Sequence, residues 1–311
     1  MMENLFAVAR QVAALFVLMG FGVFMRRAKL LGDSAVDGMV NMLILVVTPC
    51  VIVDAFQRPF DASALLSLGI AFAAAVLGHM AVIAAAAALI RHRSDDTRRT
   101  LLLAAVFSNA GFMGIPLEQA ILGDVGVFYG TAYIIVFNLV IWSWGLRVMS
   151  GRSQVWKMVF NPGTIGIMLG IPMFLLSVRL PSFVAVPVHH MANLNTPFAM
   201  IVIGYGLAGA RLGRVACDPW IYVAAFVRLV GYPLLFVAAF YPFRAHLDHN
   251  MMIALTVSAS APVAAMVSMF ATKFRRDVDT GVAVVSGTTL LSVLTMPVVI
   301  ALAMHLLVRS G

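Results

Sequence analysis

The chain is 311 residues long, 62% hydrophobic and 11% charged, with a mean hydropathy of +0.99 and a formal net charge of +8. Soluble domains carry roughly 25% charged residues, so this composition excludes a water-soluble globule and predicts an all-helical protein that crosses a membrane many times. Its 20 methionines are scattered through apolar runs and read as packing residues, and Cys50 and Cys217 match no metal or redox spacing, so no cofactor or metal is expected.

A helix needs about 20 apolar residues to cross the hydrocarbon core. Runs of that length predict ten spans, near 4–25, 35–57, 62–90, 98–121, 123–146, 161–178, 187–210, 216–241, 250–272 and 279–308. The first is followed, not preceded, by its basic cluster (Arg26, Arg27, Lys29), so it reads as a retained transmembrane helix and not as a cleaved signal. One side of the array receives that cluster, then Arg91, Arg93, Arg98 and Arg99, then Arg147, Arg152 and Lys157, then Arg211 and Arg214, then Lys273, Arg275 and Arg276. The opposite side has Arg58, Arg179, Arg244 and Arg309, while Arg10 and Arg228 fall inside spans. This split of 15 against 4 predicts ten spans with both termini outside, in a plasma membrane of the bacterial inner-membrane kind. It also accounts for the positive charge without a nucleic-acid partner, and no loop is long enough for a soluble domain.

Two kinds of helix breaker recur. Span 2 contains "VVTPCVIVDAF" and span 7 contains "LNTPFAMIVIG", whose Thr-Pro pairs, Thr48-Pro49 and Thr196-Pro197, lie 148 residues apart. Span 4 contains "FSNAGFMGIPLEQ" and span 9 "VSASAPVAAMVSMF"; placing Asn109 over Pro262, 153 residues on, also pairs Met113 with Met266 and Asp124 with Asp277. A proline kink in a packed helix is the alternative, and it suits one such segment better than two matched ones in opposite halves. Five spans separate the members of each pair, so the second half enters the membrane from the other side. The expected architecture is an inverted repeat, residues 1–150 (spans 1–5) and 151–311 (spans 6–10), with discontinuous spans 4 and 9. Unpaired backbone groups are tolerated at membrane depth only where they line a cavity or are covered by protein, so the breaks mark the candidate site.

The motifs "SNAGFMGIPL", "FNLVIWSWG", "NPGTIGIMLGI" and "SASAPVAAMVSMFATKF" resemble the auxin efflux carrier family, whose prokaryotic members include malonate-transporter-like permeases. The resemblance runs the whole length. It implies a ten-helix fold of the bile-acid-symporter and sodium/proton-antiporter type. In that fold spans 1, 2, 6 and 7 form a scaffold, and spans 3–5 and 8–10 form a moving domain with crossed broken helices. It further implies carriage of organic anions, a substrate contact at Asn109 and a homodimer as the candidate assembly. The chain lacks the long hydrophilic loop of the plant carriers and has Ser-Ala-Pro where its first crossover has Asn-Ala-Gly.

Each half-helix beginning at a break presents unpaired N–H groups and roughly half a positive charge, which favours a carboxylate. The candidate substrate-binding set is Asn109, Gly111, Gly114, Pro116, Ser258, Ser260, Pro262, Asn138 and Arg228, with Thr48, Pro49, Thr196 and Pro197 lining the scaffold side. Pro116 and Pro262 are read as fixing the interruptions; the two serines divide between ligand and cap roles; Asn138 and Trp142 either face the site or join helices. Arg228, deep in span 8, either attracts the anion or stands in for a coupling cation, with a salt bridge or a backbone cap as the alternative. Its counterpart in the first half falls at 75–80, which includes His79. Asp54 and Glu118, each toward the end of a span, join His79 as candidates for proton coupling.

A secondary or facilitative carrier of small organic anions is the function these features favour. An intramembrane enzyme, or a sensor using the same cavity, is the alternative. Against an enzyme stand the lack of an H-E-x-x-H motif and a His189-His190 pair read as lying in an outer loop without acidic partners. The spans show no continuous polar stripe of the kind a channel needs, and no Walker-type loop is present.

Overall fold

The computed structural model describes residues 2–92, 94–151, 162–209 and 218–308. Arg93, Arg152, Lys157, Asn161, Arg211, Arg214, Cys217 and Arg309, which entered the charge, cysteine and motif readings, lie outside the described residues. Within them the chain is helical throughout, apart from one isolated antiparallel bridge between Ser108 and Val263.

Among the described residues six helices are long and apolar enough to cross a membrane: α1 (Met2–Arg27, counted from Val8), α2 (Asp33–Ala55), α3 (Ala62–Leu89), α6 (Asp124–Ser150), α10 (Pro219–Phe243) and α13 (Val278–Leu307). The remaining predicted spans are shorter or divided. Span 4 becomes α4 (Asp95–Val106) and α5 (Ile115–Leu122), joined by an extended Phe107–Asn109 segment and a widened π turn at Ala110–Gly114. Span 9 becomes α11 (His249–Ser260) and α12 (Met266–Lys273). Span 6 is α7 (Pro162–Leu175). Span 7, predicted as one crossing, is two helices, α8 (Ser182–Asn193) and α9 (Asn195–Gly209). The reason is local: Asn193, Leu194 and Asn195 precede Thr196-Pro197, and a proline is comfortable only in the first turn of a helix.

Prolines account for three of the four π turns among the described residues; the fourth, Ile141–Gly145, precedes no proline. Three π turns, Leu43–Val47, Ala110–Gly114 and Val227–Gly231, each end two residues before a proline: Pro49, Pro116 and Pro233. A proline donates no backbone bond and pushes away the carbonyl four residues earlier, so the preceding turn opens to a wider spacing. In α2 the Thr48 hydroxyl donates to the freed-up region at Leu43 O, 2.8 Å away.

The helices pack in two main groups. In one, α1 lies along α9, while α7 and α8 lie on α2. In the other, α3, α5 and α11 pack on α6, and α13 packs on α4, α11 and α12, with α10 against α11. The groups meet where α1 touches α13, α2 touches α6, and the Ala110–Gly114 turn rests on α9. The α1–α9 contact is close because both surfaces offer a glycine. A Cβ on Gly204 would fall 2.9 Å from Met19 Cα and collide with Met19 O, and one on Gly22 would fall 2.8 Å from Tyr205 N. Small residues that let backbones touch are the means by which helices associate in lipid.

Gly204→Leu should therefore force α1 and α9 apart, costing about 1–3 kcal/mol or more. A melting temperature in detergent equal to that of the natural chain would contradict this packing.

Candidate functional site

The two interruptions face each other. At the second, Pro262 disfavours helical geometry for the residue before it, and Ala261 is extended, with φ −61° and ψ 146°. At the first, Phe107 is extended and Asn109 sits at φ −77°, ψ 49°. The segments then satisfy one another: Asn109 N donates to Pro262 O at 2.7 Å, and Ala264 N to Phe107 O at 2.9 Å. Val263 N donates to the Thr288 hydroxyl of α13 at 3.2 Å. The sequence reading is corrected at Pro116. The break lies at 107–109, and Pro116 follows it, two residues past the Ala110–Gly114 turn that it widens. Pro262 alone lies inside an interruption.

Above the breaks, the ends of α4 and α11 converge on one cation. Arg228, fully buried in the π turn of α10, donates to Val106 O at 2.8 Å and to Ala259 O. These carbonyls close the last turns of two helices of 12 residues each. A helix C-terminus carries roughly half a negative charge, so two of them match one guanidinium. The ring of Tyr232 lies under it, 4.5 Å from the guanidinium carbon. Of the alternatives raised by the sequence, this geometry is that of the backbone cap, and with no exposed surface Arg228 does not reach an open cavity.

The expected counterpart, His79, meets the same tyrosine. Its Nδ1 is 2.8 Å from Ala75 O and 3.1 Å from the Tyr232 hydroxyl. A ring nitrogen that close to a carbonyl is the donor, which leaves Nε2 as a bare acceptor, and Nε2 has no partner among the described residues. Tyr133, which accepts from Ser108 Oγ at 3.0 Å, stacks 4.9 Å from the His79 ring. A polar cluster thus runs from the first break to α3.

The other predicted residues divide. Ser258 Oγ donates to Glu118 Oε1 at 2.5 Å, and Ser260 Oγ to Val257 O at 2.8 Å, so both hydroxyls have intramolecular acceptors. Asn138 Nδ2 donates to Ile134 O within α6, and Trp142 packs on Phe270. Gly114 packs against Ser258, where a Cβ on the glycine would lie 3.4 Å from Ser258 Cα, while nothing lies near Gly111. Pro49 packs on Gly166. Pro197 sits in the first turn of α9. Asn109 is the exception: its side chain caps no helix and makes no hydrogen bond among the described residues, although it is only 8% exposed.

A cavity of about 50 Å³ lies beside the first break, where α5 faces α2 and the α8–α9 turn. Asp54, Pro116, Gln119, Asp124, Asn195 and Thr196 line it. Its volume suits a water or two, far less than the roughly 300–1,000 Å³ of a ligand site. Gln119 Nε2 donates to Asp124 Oδ1 at 2.9 Å, and His189 Nδ1 is 2.8 Å from Asp54 Oδ2. The His189-His190 pair is thus corrected: it lies in α8, and His189 has an acidic partner. Gln119, Asp124, Tyr133, Tyr232 and Thr288 were not singled out from sequence, because each acts through a contact made only on folding.

With this geometry in place, the comparisons with known proteins are direct. A family model described as membrane transport protein matches residues 7–158 and 151–300. The chain belongs to that family, the auxin efflux carrier family its motifs resemble. An uncharacterized transporter of Methanothermobacter thermautotrophicus is 25% identical over 301 residues, covering 92% of this chain and 95% of the relative.

Arg228→Met would leave two converging carbonyl ends without their cation. It should destabilise by about 3 kcal/mol or more, whereas Asn109→Ala should stay within about 0.5 kcal/mol, both read by thermal unfolding in detergent. Equal effects would show that Arg228 does not hold the two ends.

Proposed function

We propose that the chain is a secondary or facilitative carrier of small organic anions, malonate-like carboxylates among them. It would work by alternating access, with substrate held where the interrupted helices α4–α5 and α11–α12 meet. In this reading the chain spans the membrane ten times as two inverted halves, residues 1–150 and 151–311, with both termini outside a bacterial inner membrane. Spans 1, 2, 6 and 7 form a scaffold, spans 3–5 and 8–10 move against it, and two copies form a dimer. Membership of a membrane transport family supports the class, and the two packing groups support the division.

The observation that carries the site is Asn109, whose side-chain amide is unpaired at the junction of the two breaks. It stands at the entrance to the Ala110–Gly114 turn, whose first amides have no preceding helical carbonyl to bond. That turn faces α9, whose Thr196 lines the adjoining cavity. A carboxylate there meets amide donors and a helix N-terminus. Arg228 caps the carbonyl ends of both interrupted helices and so holds the framework of the site. Gln119 and Asp54 line the path by which the cavity opens.

Uptake of radiolabelled malonate into proteoliposomes, first under an imposed voltage and then under an imposed pH gradient, tests the proposal. Uptake is expected from the natural chain and not from Asn109→Ala. Equal uptake by both removes Asn109 from the site, and none by either removes malonate as cargo.

A further inference from the structure

We propose that Glu118 is the proton-binding group of this carrier, seated between the two interrupted helices so that a proton moves with the anion. This rests on the carrier reading above and names its coupling ion and the residue that holds it.

Glu118 belongs to α5 and is fully buried. Its Oε1 accepts from Ser258 of α11, and its Oε2 has no partner among the described residues. The seat is shaped for the carboxyl group. Gly126 and Gly130, one turn apart on α6, let α5 approach: a Cβ on Gly126 would lie 2.8 Å from Glu118 O, and one on Gly130 would occupy the place of Oε2. No ordinary residue at 130 leaves room for that oxygen.

Among the described residues no counter-ion reaches the seat. The ion pairs among the described residues join His92 to Asp218, Arg99 to Asp95, His189 to Asp54 and Arg276 to Asp96. From α6, Asp124 turns to Gln119, Tyr129 bonds Asp248, and Tyr133 bonds Ser108. From α11, Asp248 binds Met251 N at the far end of the helix, beside His249. Arg10 of α1 is exposed, and Arg228 is bonded to the two carbonyls. An ionised carboxylate with one hydrogen bond and no cation is strongly disfavoured in a dry interior. Glu118 is therefore stable there as the neutral acid, with the proton on the carboxyl.

A cavity able to hold water lies beside the same helix. Ile115, Pro116 and Gln119, which flank Glu118 in sequence, line the cavity beside α5. When that cavity opens to one side of the membrane, water reaches the carboxyl and a proton is lost or gained at oxygen. When it is closed, the group crosses as a neutral acid, which avoids the expense of an uncompensated charge at depth. Release on the far side returns Glu118 as a carboxylate to water, and one proton accompanies each anion. Glutamine keeps the Ser258 contact and the shape but holds no exchangeable acid.

The test uses reconstituted full-length protein, with malonate as the transport probe and Glu118→Gln as the variant. Infrared difference spectra between acid and alkaline buffer read the proton directly, whatever the cargo. The natural chain is expected to show a protonated-carboxyl band that the variant lacks. With voltage clamped at zero, one pH unit, alkaline inside, should accumulate malonate about tenfold in the natural chain for one proton per anion. In the variant that accumulation should fall to equilibration, with malonate exchange reduced no more than a few-fold. A band that survives in the variant, or undiminished accumulation by it, overturns the proposal. If the natural chain moves no malonate, the cargo reading fails, and the infrared band alone upholds or overturns Glu118.

Discussion

The fold depends on one buried cation. Interrupting two helices inside a hydrocarbon core exposes carbonyl ends that water cannot reach, and each such end also gathers a helix dipole. Arg228 answers both problems at once, bonding to Val106 and Ala259 with a charge that matches two half-charges. Lysine offers a point charge without the planar fork that spans two acceptors. Three backbone donors of the breaks, at Asn109, Val263 and Ala264, are met by the opposite segment and by Thr288. Once these partners are in place, two broken helices become a single paired unit, and the groups left over are free for chemistry.

Those remaining groups differ in kind. Asn109 keeps an unpaired amide at the junction, His79 keeps a bare ring nitrogen, and Glu118 keeps a bare carboxyl oxygen. The first suits an anion and the third a proton, while His79 is tied through Tyr232 to the ring beneath Arg228. The packing around them is uneven. The α1–α9 contact is backbone on backbone, whereas the junction meets α9 only through the Ala110–Gly114 turn beside a small cavity. A helix pair bonded across its breaks and with a thin contact to its neighbour can shift as a body, as the proposed carrier would require.

Much of this was legible in the sequence. Helix-breaking residues in apolar runs located both interruptions, and the 153-residue offset aligned Asn109 with Pro262, which prove to be hydrogen-bonded to each other. The same reading misplaced Pro116, because a proline perturbs the turn before it and the actual break precedes that turn. Before Pro49 and Pro233, as before Pro116, the wide turn ends two residues earlier. The partners of Arg228 were not legible, since backbone carbonyls carry no sequence signature. Nor was the contact of His189 with Asp54, 135 residues away, or the vacancy that Gly130 leaves for Glu118.

The central claim, that Arg228 holds the two interrupted helices as one unit, is tested most directly by hydrogen exchange. The amides of Asn109 and Ala264 lie outside regular helix, yet each is bonded across the junction. They should exchange slowly in the natural chain and much faster in Arg228→Met, while amides of α1 and α9 remain unchanged. Equal exchange at Asn109 and Ala264 in the two proteins would contradict the account.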